Sequence, residues 1–193
     1  MSYIFYPDLV LSAYREGYFP MAEDRYGPVY WHSPDPRAIF PLKELKPSLK
    51  TLKQIQKCNF TYSINNRFFD VINACAERED TWINEEIIGV YTALYERKFA
   101  HSVEVYQAGE LVGGLYGVSI NSAFFGESMF NTVSNAAKGA FYFLVEHLKQ
   151  RDFILLDSQY LNPFTQQLGA IEIPKKKYLS ILRKALDKNC SFK

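Results

Sequence analysis

The chain has 193 residues, 48% hydrophobic and 22% charged, enough for one packed domain or one domain with a small appendage. A net charge of +1 excludes a general polycation, but the cations cluster: residues 41–57 hold five lysines against Glu44 alone, and residues 175–193 hold seven basic side chains against Asp187 alone. Two basic regions on a near-neutral chain fit a localised polyanion site better than attraction to a membrane surface.

Asp8 is placed to cap a short helix through Tyr14, with Gly17 ending it. Ser33-Pro34 and Asp35-Pro36 force extended or turn backbone, so residues 1–38 read as a small, loop-rich N-terminal unit. Pro47-Ser48 starts a helix bearing Lys50, Lys53 and Lys57, whose spacing puts three ammonium groups on one face. That face suits either solvent or a polyanion. Residues 63–76 read as a helix with Phe68, Ile72 and Cys75 on one side. Asn84 caps the next helix, with Glu85 and Glu86 in its first turn. From His101 the period changes to two. Ser102–Tyr106 and Leu111–Ile120 form a hairpin across Ala108-Gly109, and Ala123–Phe130 is a third strand. Asn131 or Ser134 caps a helix over 135–149, and residues 153–156 make a short strand buried on both faces. A short helix (163–168), a strand (170–173) and a last helix (176–186) follow. The order predicts an α+β domain with a mixed sheet, and matches the second half of the fold used by acetyl-CoA-dependent N-acetyltransferases. That analogy of element order says nothing about chemistry.

Several chemistries have no foothold. There is no P-loop and no G-x-G-x-x-G, and no Ser-His-Asp or Cys-His arrangement stands out. Cys58, Cys75 and Cys190 are odd in number and far apart, and the three histidines lack ligand spacing, against a disulfide framework or a zinc site. The first residues lack the basic and apolar regions of a signal peptide. No apolar run approaches a membrane span, so the expected setting is a reducing cytoplasm. Two polar insertions into apolar strands remain. Asp157 and Gln159 sit two apart at the end of a buried strand and so share a face. A carboxylate after Ile154-Leu155-Leu156 is costly unless satisfied or working; it either caps the next turn or acts in a site. Glu127 lies between Gly126 and Ser128 in an aromatic strand, where glycine permits close approach of a backbone or a ligand. It is either a hydrogen-bonded glutamate at a bulge or a group that handles an amine.

Together, Arg15–Pro20, Trp31 with Ser33-Pro34-Asp35-Pro36-Arg37, Asp80–Ile83, His101–Val105, Leu111–Gly117, Gly126-Glu127-Ser128-Met129-Phe130, Leu156-Asp157-Ser158-Gln159 and Leu168-Gly169-Ala170 resemble the motifs of the leucyl/phenylalanyl-tRNA–protein transferases, over about residues 10–182. His32 and Met21 stand where the family often has tryptophan. The resemblance implies an acetyltransferase-like (acyl-CoA N-acyltransferase) catalytic domain over residues 39–193, behind the small N-terminal domain. It implies transfer of Leu or Phe, and Met less well, from aminoacyl-tRNA to the α-amine of proteins that begin with Arg or Lys, in the N-end rule pathway of protein degradation. No cofactor or metal is implied, and a monomer is the default. Asp157, Gln159 and Glu127 would handle the amine and its proton. Trp82 would shape the 3′-adenosine site, with Met21 at the stacking position. Leu115, Phe124, Leu144, Leu148 and Leu156 would wall the side-chain pocket beside Gly126. Lys50, Lys53 and Lys57 would lie against acceptor-stem phosphates. An acetyl-CoA-dependent acyltransferase is the main rival, although the turn Asn131–Ala137 lacks the glycines that cradle pyrophosphate. A non-catalytic tRNA-binding module is the second rival.

Overall fold

The computed structural model describes residues 5–78 and 81–193. The first four residues and Asp80, the start of one motif, lie outside them. Helix α1 (Pro7–Arg15) begins with proline at its first turn, where a missing N–H costs nothing. Asp8 sits inside that turn and is not the cap; it accepts from Arg97 Nη2 at 2.6 Å. Gly17 ends the segment at φ +83°, and a Cβ there would also stand 2.9 Å from Leu179 Cδ2. Strands β1 (Phe19–Ala22) and β2 (Val29–His32) form a two-stranded antiparallel sheet of their own.

The chain then enters a seven-stranded sheet through β3 (Arg37–Phe40). Ser48 caps α2 (Leu49–Gln56) by accepting from Thr51 N–H. The expected helix over 63–76 divides: β4 (Thr61–Ile64) comes first, Asn65 turns the chain at φ +57°, and α3 spans Phe68–Ala76. The strand wins because Thr61–Ile64 pairs with β5 (Ala100–Gln107), a tertiary gain that helical periodicity does not report. Asn84 caps α4 (Glu85–Glu96) through Ile87 N–H, as expected. Strands β5, β6 (Glu110–Ile120) and β7 (Ala123–Asn131) form the predicted meander. Helix α5 (Ala136–Gln150) is capped by neither Asn131 nor Ser134; Asn135, at φ +71°, precedes it without a side-chain bond. Strand β8 (Leu155–Gln159) begins two residues later than expected and runs through Asp157, and α6 (Pro163–Gln167), β9 (Ile171–Ile173) and α7 (Lys175–Asp187) complete the chain.

The sheet order is β4-β5-β6-β7-β8-β3-β9. Every pairing is antiparallel except β7–β8, joined through α5 as a parallel crossover requires. One face packs Tyr14, Phe68, Ile72, Tyr91, Phe125 and Leu182 from α1, α3, α4, β7 and α7. The other packs Phe40, Leu115, Phe141, Leu144 and Leu156 with α5. Near the C-terminus Phe192 closes this second face, its ring 4.1 Å from His101 and 5.3 Å from Phe124.

One detail places the site. β7 and β8 pair only at Ala123–Leu155, Phe124–Leu156 and Phe125–Asp157. Beyond that point β7 stays on β6, while β8 stays on β3. The two strands splay, and a cleft opens at the carboxyl end of the parallel pair, where sheets of this kind hold their ligands.

Candidate active site

The cleft has a volume of about 710 Å³. Met21, Trp82, Leu115, Gly126, Glu127, Leu144, Leu156, Asp157 and Gln159 all border it, so residues more than a hundred positions apart meet in one place. Phe124 and Leu148 do not border it. Phe124 is fully buried, its ring 5.3 Å from that of Phe192, and Leu148 lies one helical turn beyond Leu144, past the end of α5 that reaches the cleft. The wall is completed by Phe40 and Phe141, whose rings meet at 4.5 Å. Phe141 comes from α5 and Phe40 from β3, a strand inserted from the N-terminal side.

The local backbone explains why Glu127 points inward. Between Tyr116–Ser128 and Gly117–Gly126 the β6–β7 register shifts, leaving Glu127 as the extra residue of a bulge. Bulges re-aim side chains and recur beside active sites. Gly117 makes this one possible, because a Cβ there would sit 2.3 Å from Phe125 O. At Gly126 an added Cβ meets only Asp157 O, at 3.4 Å, so that glycine leaves room on the cleft side.

Tyr14 OH donates to Glu127 Oε1 at 2.6 Å, Tyr91 OH donates to Oε2 at 3.0 Å, and Gln159 Nε2 donates to Oε1 at 2.9 Å. The two phenols also contact each other. Three oxygen–oxygen contacts thus join Tyr14, Tyr91 and Glu127, yet the phenols bring only two protons. With Glu127 ionised both phenols donate to it; with Glu127 neutral, its own proton goes to Tyr14, Tyr14 donates to Tyr91 and Tyr91 to Oε2, so all three contacts are bonded. The electrostatics agree: burial pushes the Glu127 carboxyl up to about 7, with Asp157 adding to the rise and the donors from Tyr14, Tyr91 and Gln159 opposing it. Both phenols are raised well above their ordinary value, burial first and Glu127 next.

Asp157 is fully buried, and protein donors take all four of its lone-pair positions. Oδ1 accepts from Arg37 Nε at 3.0 Å and Gln159 N–H at 2.9 Å; Oδ2 accepts from Arg37 Nη2 and Tyr178 OH, each at 2.7 Å. The Arg37 guanidinium lies between the rings of Phe19 and Tyr178, at 4.6 and 4.5 Å, and donates to Gly17 O at 3.0 Å. Both readings of Asp157 therefore meet in one residue: it caps the backbone two residues on, and it sits at the cleft. Gln159 follows at φ +61°, a left-handed conformation that the Asp157 bond helps to hold. Its Nε2 is committed to Glu127, so its carboxamide oxygen is the acceptor it offers to the cleft.

At the rim, Phe19, Met21, Tyr30 and His32 share one face of the β1–β2 hairpin. His32 stacks on Phe19 at 5.7 Å and bonds Tyr160 OH at 3.0 Å, so an aromatic assembly stands at this position. Lys50, Lys53 and Lys57 are exposed on or just after α2, which rests on α5, and none of them joins an ion pair among the described residues.

Glu127 and Gln159 thus stand together against an apolar wall at the splay of two parallel strands. The chain belongs to the leucyl/phenylalanyl-tRNA protein transferase family of aminoacyltransferases. The family model described as "Leucyl/phenylalanyl-tRNA protein transferase" matches residues 39–183, and the model for that family's N-terminal domain matches residues 5–35. A relative named leucyl/phenylalanyl-tRNA–protein transferase from Gloeobacter violaceus is 48% identical over 187 residues, covering 97% of each chain. One of the same name from Chlorobaculum tepidum is 49% identical over 95% of this chain and 96% of its own, and one from Salinibacter ruber is 46% identical over 94% and 80%.

Proposed function

We propose that this chain transfers Leu or Phe, and Met less well, from aminoacyl-tRNA to the α-amine of proteins beginning with Arg or Lys, marking them for degradation by the N-end rule pathway. The observation that carries the reading is the juxtaposition of Glu127 and Gln159 with the apolar wall of Leu115, Phe141, Leu144 and Leu156 in one cleft. The reaction forms a bond from the amine nitrogen to the ester carbonyl carbon and breaks the bond from that carbon to the ribose oxygen. One proton passes from the amine to the leaving oxygen. The ester is already activated, so the enzyme has to align the reactants, keep the amine neutral and manage that proton.

In this mechanism the Gln159 carboxamide oxygen accepts an N–H of the incoming amine and aims its lone pair. Glu127, bonded to the same carboxamide, takes the proton. Asp157 acts by holding Gln159 and Arg37 in place, since its own lone pairs are occupied. The wall discriminates by size and desolvation: it excludes polar side chains, but separates Leu from Met by only about 1–3 kcal/mol. The rim of Met21, Trp82, His32 and Tyr160 receives the terminal adenosine. The same reading takes residues 1–38 as a small domain docked on an acetyltransferase-like domain, residues 39–193, acting as a monomer in the cytoplasm. The separate β1–β2 sheet and the break between the two family models support a division here, while β3 (Arg37–Phe40) crosses residue 38 and lies whole in the seven-stranded sheet.

Extension of an Arg-initiated peptide by Phe from charged tRNA tests the whole reading. The tRNA footprint has its own test. Changing Lys50, Lys53 and Lys57 together to alanine should weaken tRNA binding and flatten the slope of log affinity against log salt by about 2, at roughly 0.7–0.9 for each phosphate no longer neutralised. Titrating fluorescent tRNA at several salt concentrations measures it, and an unchanged slope removes α2 from the footprint.

A further inference from the structure

Tyr116 is buried, and its hydroxyl is the only buried side-chain polar atom without a hydrogen-bond partner among the described residues. An unpaired buried hydroxyl costs stability that a phenylalanine would not, so its presence asks for a reason. Its position supplies one. Tyr116 faces the bulge at which Glu127 is inserted, borders the cleft, and packs edge-on against Tyr91, ring centroids 5.6 Å apart. Tyr91 is itself a donor to Glu127.

We propose that the Tyr116 hydroxyl is a reserve donor for Glu127, unpaired while the carboxyl is neutral and turned onto it when the carboxyl becomes charged. Proton counting motivates the exchange. The three contacts among Tyr14, Tyr91 and Glu127 need three protons, and ionisation of Glu127 removes one. The carboxylate then gains from a further donor, and Tyr116 is the neighbouring hydroxyl with none of its bonds assigned. Burial first and the Glu127 charge next raise the Tyr116 phenol, consistent with their proximity across the bulge. The titratable and charged groups at Glu127 are Tyr14 from α1, Tyr91 from α4, and Asp157 on β8 with Arg37 behind it, while Cys75 and Arg78, at and just past the end of α3, act on Tyr116. Cys75 stays a neutral thiol, its burial pushing it up to about 12. Tyr116 is thus a positioning residue for the proton acceptor, an inference that deepens the proposed transfer mechanism and rests on it for its meaning.

The test follows the Glu127 carboxyl carbon by NMR in full-length protein, labelled on glutamate, as pH is varied in the wild type and in Tyr116→Phe. Losing a donor to the charged form should raise the Glu127 midpoint by about one pH unit, while at about pH 5, where the carboxyl is neutral, the variant melts no lower than the wild type. Tyr91→Phe, which removes a bond already in place, serves as the positive control. An unmoved midpoint in Tyr116→Phe overturns the proposal. So does a lowered melting temperature at that pH, which would mean that the hydroxyl is already paired while the carboxyl is neutral. Transfer assays run alongside separate the two failures: a wild type without transfer defeats the reading of function, whereas equal wild-type and variant rates with an unmoved midpoint defeat only the role of Tyr116.

Discussion

Asp157→Ala should cost about 3–5 kcal/mol of stability as well as activity, because it leaves the Arg37 guanidinium charged, buried and without its counter-ion. Gly17 O would be the guanidinium's remaining hydrogen-bond acceptor, and two aromatic faces do not replace a bidentate carboxylate. Tyr178 OH and Gln159 N–H lose their acceptor in the same step. Urea denaturation of the two proteins measures the loss, and an unchanged midpoint would mean that the ion pair does not hold the site. Asp157→Asn keeps the shape and one carbonyl acceptor, and should fall between. The contrast with Glu127 is informative. Both carboxyls border one cleft, but Asp157 has every lone pair taken by protein donors, whereas Glu127 is pushed up to about 7, where it can exchange a proton near neutrality.

The second large effect belongs to Glu127→Gln. The transfer rate should fall by about 10²–10⁴, the usual contribution of a positioned proton acceptor. The pH behaviour gives an independent check. In the fold the carboxyl is pushed, chiefly by burial, from the ordinary 4.5 up to about 7. As pH rises from 4.5 the unfolded chain releases this proton before the folded protein does, so the folded form binds more protons and stability falls with rising pH. At 1.36 kcal/mol per pH unit, the wild type should lose about 3 kcal/mol relative to Glu127→Gln between pH 4.5 and pH 8, from this group. Denaturation of both proteins across that range reads the difference, and a constant difference would contradict the raised proton affinity. In activity the sign reverses. Wild-type transfer should climb through about pH 7 as Glu127 ionises, whereas the residual rate of the variant should follow only the acceptor amine, near pH 8.

Most elements were legible because their signals are local. The period of two from His101 onward gave the meander, and Asn84 gave its helix. Where signals were not local, the reading slipped. Thr61–Ile64 is a strand because β5 offers it an edge, and β3 sits between β8 and β9 although it comes from the far end of the chain. The candidate site divides in the same way. Glu127, Asp157 and Gln159 stood out as polar insertions in apolar strands. Their partners did not: Tyr14 and Tyr91 lie 113 and 36 residues from Glu127, and Arg37 lies 120 residues from Asp157. Nothing in a linear pattern says which of 14 tyrosines will donate to a given carboxylate. Phe124 and Leu148 are apolar residues of the right type on the right elements, but they do not border the cleft.

The most direct test of the central claim mixes the full-length protein with Phe-tRNA and two peptides that differ only in beginning with Arg or with Ala. Mass spectrometry should find the Arg peptide heavier by one phenylalanine residue, the Ala peptide unchanged, and the extension nearly abolished in Glu127→Gln. No extension of either peptide at high enzyme concentration, or equal extension by wild type and Glu127→Gln, would contradict the account.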